Sequence, residues 1–79
     1  MRRGFVLVSC DAGSEREILR KLSSFSEVTY VYQIIGMYDI IAEIKCDSPQ
    51  KFREIISWKF HKIEKIRSIV SLMDKPALN

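Results

Sequence analysis

Residues 27–46, EVTYVYQIIGMYDIIAEIKC, read as two strands joined at a glycine. Glu27 to Ile35 is rich in β-branched and aromatic residues, the side chains that suit a pleated, half-buried surface. Tyr38 to Cys46 shows partial alternation through Ile41-Ala42-Glu43-Ile44-Lys45. Between them, Gly36-Met37-Tyr38-Asp39 predicts a tight hairpin connection carrying an aromatic ring and a carboxylate. Gly36 tolerates a positive φ and lets a ligand approach bare backbone N–H groups. Asp39 is a candidate acceptor for an α-ammonium group and Tyr38 a candidate pocket wall. The same residues also suit a structural turn, with Gly36 making the bend, Asp39 capping it and Tyr38 packing at an interface.

The flanking sequence completes a β-α-β unit on either side of this hairpin. Upstream, Gly4 to Cys10 reads as a strand that Asp11-Ala12-Gly13 breaks. Ser14 with Glu17 fits a capping box, and Ile18, Leu19, Leu22 and Phe25 follow at helical spacing, so a helix runs to about Ser24. Downstream, Asp47-Ser48-Pro49 is a helix start with a capping side chain and proline at the first helical position. Phe52, Ile55, Ile56, Lys59 and Phe60 trace one stripe, while Trp58 falls off it, either covered by a neighbouring subunit or lying on the surface. Ile66 to Met73 is the last strand, and Lys75-Pro76-Ala77 ends the regular order. The order is βαββαβ. Right-handed crossovers then predict an α+β, ferredoxin-like fold: a four-stranded antiparallel sheet, order 4-1-3-2, with both helices on one face and one domain over residues 1–79.

Two helices cover one face of such a sheet, yet the strands are apolar on both. Phe5 and Leu7 oppose Val6, Val8 and Cys10, and Tyr30, Tyr32 and Ile34 oppose Val31 and Ile35. A one-sided sheet alternates apolar with polar residues, so the helix-free face calls for an apolar partner, most economically a second copy. The chain of 79 residues, 47% apolar, fits that reading, because a domain this small buries only about 60% of its unfolded surface. The topology also gathers Cys10-Asp11-Gly13, Gly36–Asp39 and Lys65-Ile66-Arg67 at one sheet edge, with the first helix starting there. Cys46 falls at the opposite edge, roughly 20–25 Å from Cys10 at about 3.3 Å per residue, which excludes an intrachain disulfide. Two separated cysteines and one histidine do not make a zinc site, and no metal or other cofactor is expected. No apolar run is long enough to span a membrane and no secretion signal is present, so a cytoplasmic protein is expected. Lys59, His61, Lys62, Lys65 and Arg67 form a basic cluster, read as a phosphate footprint or as cations at a helix C-terminus. The net charge of +3 and the absence of interleaved aromatics favour the second.

With this order and the Gly36-x-Tyr38-Asp39-Ile40 hairpin, the chain resembles the C-terminal effector-binding (RAM) domain of the Lrp/AsnC, or feast/famine, transcription regulators. Ile18 and Leu22 in the first helix, Val28 opening the second strand, Ser48 to Phe60 and Ile66 carry the rest of the likeness, which covers essentially the whole chain. The resemblance implies a stand-alone form without the family's helix-turn-helix, and so no direct DNA binding. It further implies homodimers formed through the sheets, assembled into octamers or decamers, an amino-acid effector, and association with full-length Lrp/AsnC regulators. The implied ligand-binding residues are Gly36, Met37, Tyr38 and Asp39 of one subunit with Ser71 of another. Ile35 and Ile69 stand where the family commonly has threonine. A pure assembly module with a degenerate effector site is therefore a second reading, and an ACT-type regulatory domain of the same topology a third. No Ser/His/Asp or paired-carboxylate constellation is visible, so enzymatic activity is not expected.

Overall fold

Alternation along the first strand sets the centre of the molecule. The computed structural model describes residues 2–74. Its elements are β1 (Arg2–Cys10), α1 (Glu15–Ser23), β2 (Val28–Gln33), β3 (Ile40–Cys46), α2 (Pro49–Ile55), a π-helical turn (Ile56–Phe60) and β4 (Ile66–Met73). They form one antiparallel sheet in the order β2-β3-β1-β4, the expected ferredoxin-like topology read from its other edge. Val6 and Val8 of β1 and Ile40, Ala42 and Ile44 of β3 are fully buried beneath Ile18 and Leu22 of α1 and Phe60 of the π-helical turn. Burying a Val, Leu, Ile or Phe side chain is worth roughly 1.5–3 kcal/mol, which makes this layer the main source of stability. Gly4 is required for its closeness: a Cβ there would lie 2.2 Å from Cε1 of Phe52, whose ring rests on the β1 backbone.

Ser48 caps α2 as expected, its hydroxyl accepting from Lys51 N–H at 3.1 Å with Pro49 in the first turn. Three local expectations are corrected. Ser14 precedes α1, but no capping box forms. Its backbone (φ −98°, ψ 0°) lacks the extended geometry that aims a capping side chain at the first helical donors, and its hydroxyl donates back to the Asp11 carbonyl. Glu17 instead pairs with Lys65 at 3.3 Å. The hairpin is also longer than expected: β2 ends at Gln33 and β3 begins at Ile40. Finally, the second helix changes pitch at Ile56, where His61 N–H reaches the Ile56 carbonyl five residues back at 3.0 Å. That wider turn keeps Phe60 in the core against Phe25, ring centroids 5.9 Å apart, and leaves Trp58 exposed.

Candidate functional site

Asp39 organises the loop of residues 34–39. Its carbonyl accepts from Ile34 N–H at 2.8 Å, closing the loop on itself, while its own N–H donates to the Val8 carbonyl at 2.9 Å. Its carboxylate Oδ2 accepts from Cys10 N–H at 2.9 Å. The loop is thereby strapped to the end of β1 by one residue acting through backbone and side chain together. Among the described residues Oδ1 takes no donor. A hydrogen bond to a carboxylate is stronger than one between neutral groups, so this strap is among the firmer local contacts.

Gly36 has φ +151°, a conformation that side chains rarely adopt, and open space where a Cβ would stand. Backbone geometry, not crowding, requires glycine here. Ile35 and Met37, on either side, are the most fully exposed large apolar side chains of the described chain. Tyr38 is half-buried. Ser71 lies on β4 opposite Val6, with β1 between it and the loop, so one copy does not join Ser71 to Asp39. The predicted meeting of three segments is present: Asp11 N–H donates to the Lys65 carbonyl at 2.9 Å, and Cys10, next in sequence, holds Asp39. Lys65 adopts φ +75° to enter β4 from this edge.

The Cys10 thiol is pushed up from its ordinary value, chiefly by burial, with the nearby Asp39 and Glu15 charges adding and a Ser14 hydrogen bond opposing. It therefore stays protonated at neutral pH and is a packing group, not a nucleophile. Cys10 and Cys46 are both free and buried, at opposite ends of β1, since Cys46 pairs with Arg2. The basic cluster is largely paired: Lys59 contacts both oxygens of Glu27 at 2.8 and 3.0 Å, Lys65 meets Glu17, and Arg67 lies 3.9 Å from Asp11. Among the described residues no three potential metal-ligating side chains converge. A groove of about 300 Å³ runs between α1 and the segment before β4, lined by Glu17, Ile18, Lys21, Lys62, Ile63 and Glu64. A wider, shallow depression follows α1 from Gly13 to Ser24. Neither includes any residue of the 34–39 loop.

The sequence did not reveal the Asp39–Cys10 bond or a polar group on the helix-free face. There Glu43, buried on β3, accepts from the Thr29 hydroxyl at 2.6 Å and lies 3.5 Å from Arg3. A single acid within the apolar alternation of β3 was the available signal.

Residues 3–73 match the model of the Lrp/AsnC ligand binding domain. The chain belongs to the Lrp/AsnC ligand-binding domain family. Among solved structures it is similar to FFRP-DM1, with 29% identity and a TM-score of 0.89 over 95% of this chain and 100% of that one. The hypothetical protein PHS023 from Pyrococcus horikoshii gives 28% identity and a TM-score of 0.89, covering 98% of this chain and 93% of that one. AsnC of E. coli gives 26% identity and a TM-score of 0.86 over 99% of this chain, which spans 54% of AsnC. A search of curated protein sequences finds no match. The Lrp/AsnC family is one of regulatory ligand-binding domains of transcription regulators, not a family of enzymes.

Proposed function

We propose that this Lrp/AsnC domain, a single unit over residues 1–79, is a non-enzymatic module that assembles with copies of itself and binds an amino-acid effector at the edge formed by Gly36, Met37, Tyr38 and Asp39. The observation that carries this reading is the loop itself. It is tied firmly to β1 through Asp39 yet holds Ile35 and Met37 bare to solvent. A fixed loop presenting apolar side chains is suited to completion by a neighbouring subunit. Ser71, which a single copy leaves apart from the loop, belongs to that neighbour's contribution. Asp39 Oδ1 accepts from the α-ammonium group, and backbone N–H groups beside Gly36 are open to the carboxylate.

The same reading pairs the helix-free sheet faces into a homodimer, where Phe5, Leu7, Ile41, Val70 and Leu72 meet their counterparts. Dimers joined through the loop edges give the octamer or decamer expected by resemblance, acting in the cytoplasm on transcription directly or by joining full-length Lrp/AsnC regulators. A second reading, assembly with a degenerate effector site, is favoured by the bare apolar side chain of Ile35 and by Ile69, which packs partly against the core. Thermal shift against the twenty amino acids, run beside light scattering on the eluted oligomer, separates the two. A shift that Asp39→Asn abolishes while the oligomer persists supports effector binding. A stable oligomer indifferent to every amino acid leaves assembly alone.

A further inference from the structure

The segment between the π-helical turn and β4 runs beside α1 and is fixed near both of its ends. Ile63 N–H donates to the Phe60 carbonyl at 3.1 Å, and the Ile63 side chain packs partly against the core. Further on, Asp11 N–H donates to the Lys65 carbonyl at 2.9 Å, and Lys65 Nζ reaches Glu17 of α1 at 3.3 Å. The groove of about 300 Å³ between this segment and α1 therefore has walls held in place before anything enters it. Its volume falls at the lower end of the range in which proteins hold small molecules. The floor is apolar, made by fully buried Ile18 and half-buried Ile63. Charges stand around that floor: Glu17 and Lys21 on the α1 wall, Lys62 and Glu64 on the other. Glu17 is neutralised by Lys65. Among the described residues Lys21, Lys62 and Glu64 make no ion pair.

We propose that this groove is a second ligand site, taking a small organic monocarboxylate with a compact apolar body and a hydroxyl or ammonium donor beside the carboxylate. The carboxylate lies between the Lys21 and Lys62 ammonium groups, the body rests on Ile18 and Ile63, and the donor faces Glu64. Two ammonium groups on facing walls of a narrow groove repel each other, and an anion between them relieves that repulsion. Each ammonium offers three donors, and hydrogen bonds from a charged donor to a carboxylate are the strong ones. The charge balance selects the class of anion. Two free lysines and one free glutamate leave a single positive charge, which a monocarboxylate cancels. A phosphate dianion would leave the groove negative, with Glu64 beside it. Glu64 in turn needs a partner once water leaves, which the donor of the ligand supplies.

This site differs in construction from the 34–39 edge. All of its lining comes from one copy, on the helical side of the sheet, and it includes neither the helix-free face nor any residue of the loop. It is therefore available whatever the assembly state, and does not rest on the edge-site reading. The expected stoichiometry is one ligand per chain.

The test is isothermal titration of the wild-type protein at low salt with five probes: hydroxyisovalerate, valine, isovalerate, isobutylamine and inorganic phosphate. The first two carry the hydroxyl and ammonium forms of the donor on one skeleton, so the tighter of them names the donor. Isovalerate lacks the donor and isobutylamine lacks the carboxylate. Hydroxyisovalerate or valine should bind with a millimolar or tighter Kd, several-fold ahead of isovalerate, and weaken as salt is raised. For the tighter acid, Lys21→Gln and Lys62→Gln should each cost about three- to fivefold and the double variant about tenfold or more, with the far-ultraviolet spectrum unchanged. Glu64→Gln should bring its affinity close to that of isovalerate. For hydroxyisovalerate, which has no ammonium group, Asp39→Asn should change nothing. Silence from both donor-bearing acids at millimolar concentration overturns the proposal. So does phosphate or isobutylamine binding as tightly as the acids, or an affinity that the lysine variants leave within twofold of wild type. An acid lost in Asp39→Asn but kept in the lysine double variant sits at the loop edge, which overturns the groove site while supporting the edge reading.

Discussion

Asp39→Ala gives a sharp measure of how the candidate site is built. The substitution removes the acceptor of Cys10 N–H, a donor in a residue only 7% exposed. Leaving a buried donor unpaired costs about 1–3 kcal/mol, and a carboxylate acceptor places the loss near the middle of that range, about 2 kcal/mol. For a domain of this size 1 kcal/mol moves Tm by about 4–8 °C, so a fall of roughly 8–16 °C is expected at fixed protein concentration. Urea denaturation measures the loss, and amide hydrogen exchange locates it, with faster exchange at Cys10. Asp39→Asn keeps an oxygen acceptor and loses only the charge, so it costs about 1 kcal/mol or less while removing the attraction for an ammonium group. The pair of variants separates the strap from the ligand contact. An Asp39→Ala protein within about 0.5 kcal/mol of wild type, with Cys10 still protected, refutes the strap.

Other perturbations test neighbouring parts of the fold. Gly4→Ala drives a methyl group into the Phe52 ring and should destabilise by about 1–3 kcal/mol in urea; Gly4→Ala/Phe52→Leu should recover part of that loss. Glu27 is held below its ordinary value of 4.5, first by the hydrogen bond from Lys59, so its contribution is present above that value and is lost as pH falls through the lower folded one. Lys59→Met should therefore lower the urea midpoint at pH 7 and have progressively less effect as the pH is brought below 4.5 toward 3. Leu7→Asp, on the helix-free face, should give monomers by light scattering with an unchanged far-ultraviolet spectrum. Ile35→Ser/Met37→Ser should leave dimers intact while removing larger assemblies.

The elements were legible because their signals are local. Alternation in residues 27–46, the Ser48-Pro49 helix start and the stripe from Phe52 to Phe60 each report on neighbours within a turn or two of chain. From their order followed the ferredoxin-like topology and the edge shared by Cys10, Asp39 and Lys65. The failures were equally local in origin. Ser14 and Glu17 match a capping box in spacing, but Asp11 takes the serine hydroxyl and Lys65 takes the glutamate. Nothing within a few residues of Ile56 announces its wider turn, which accompanies the distant contacts of Phe60 with Phe25 and of Lys59 with Glu27.

What the sequence by itself determined, then, was which segments form strands and helices and that Gly36–Asp39 lies at a shared edge. Only the tertiary structure decided what Asp39 does there. Its carboxylate is bound to the backbone of residue 10, twenty-nine positions away. Periodicity and turn chemistry constrain a residue through its chain neighbours. The partner of a buried hydrogen bond is fixed only when the sheet brings distant strands side by side.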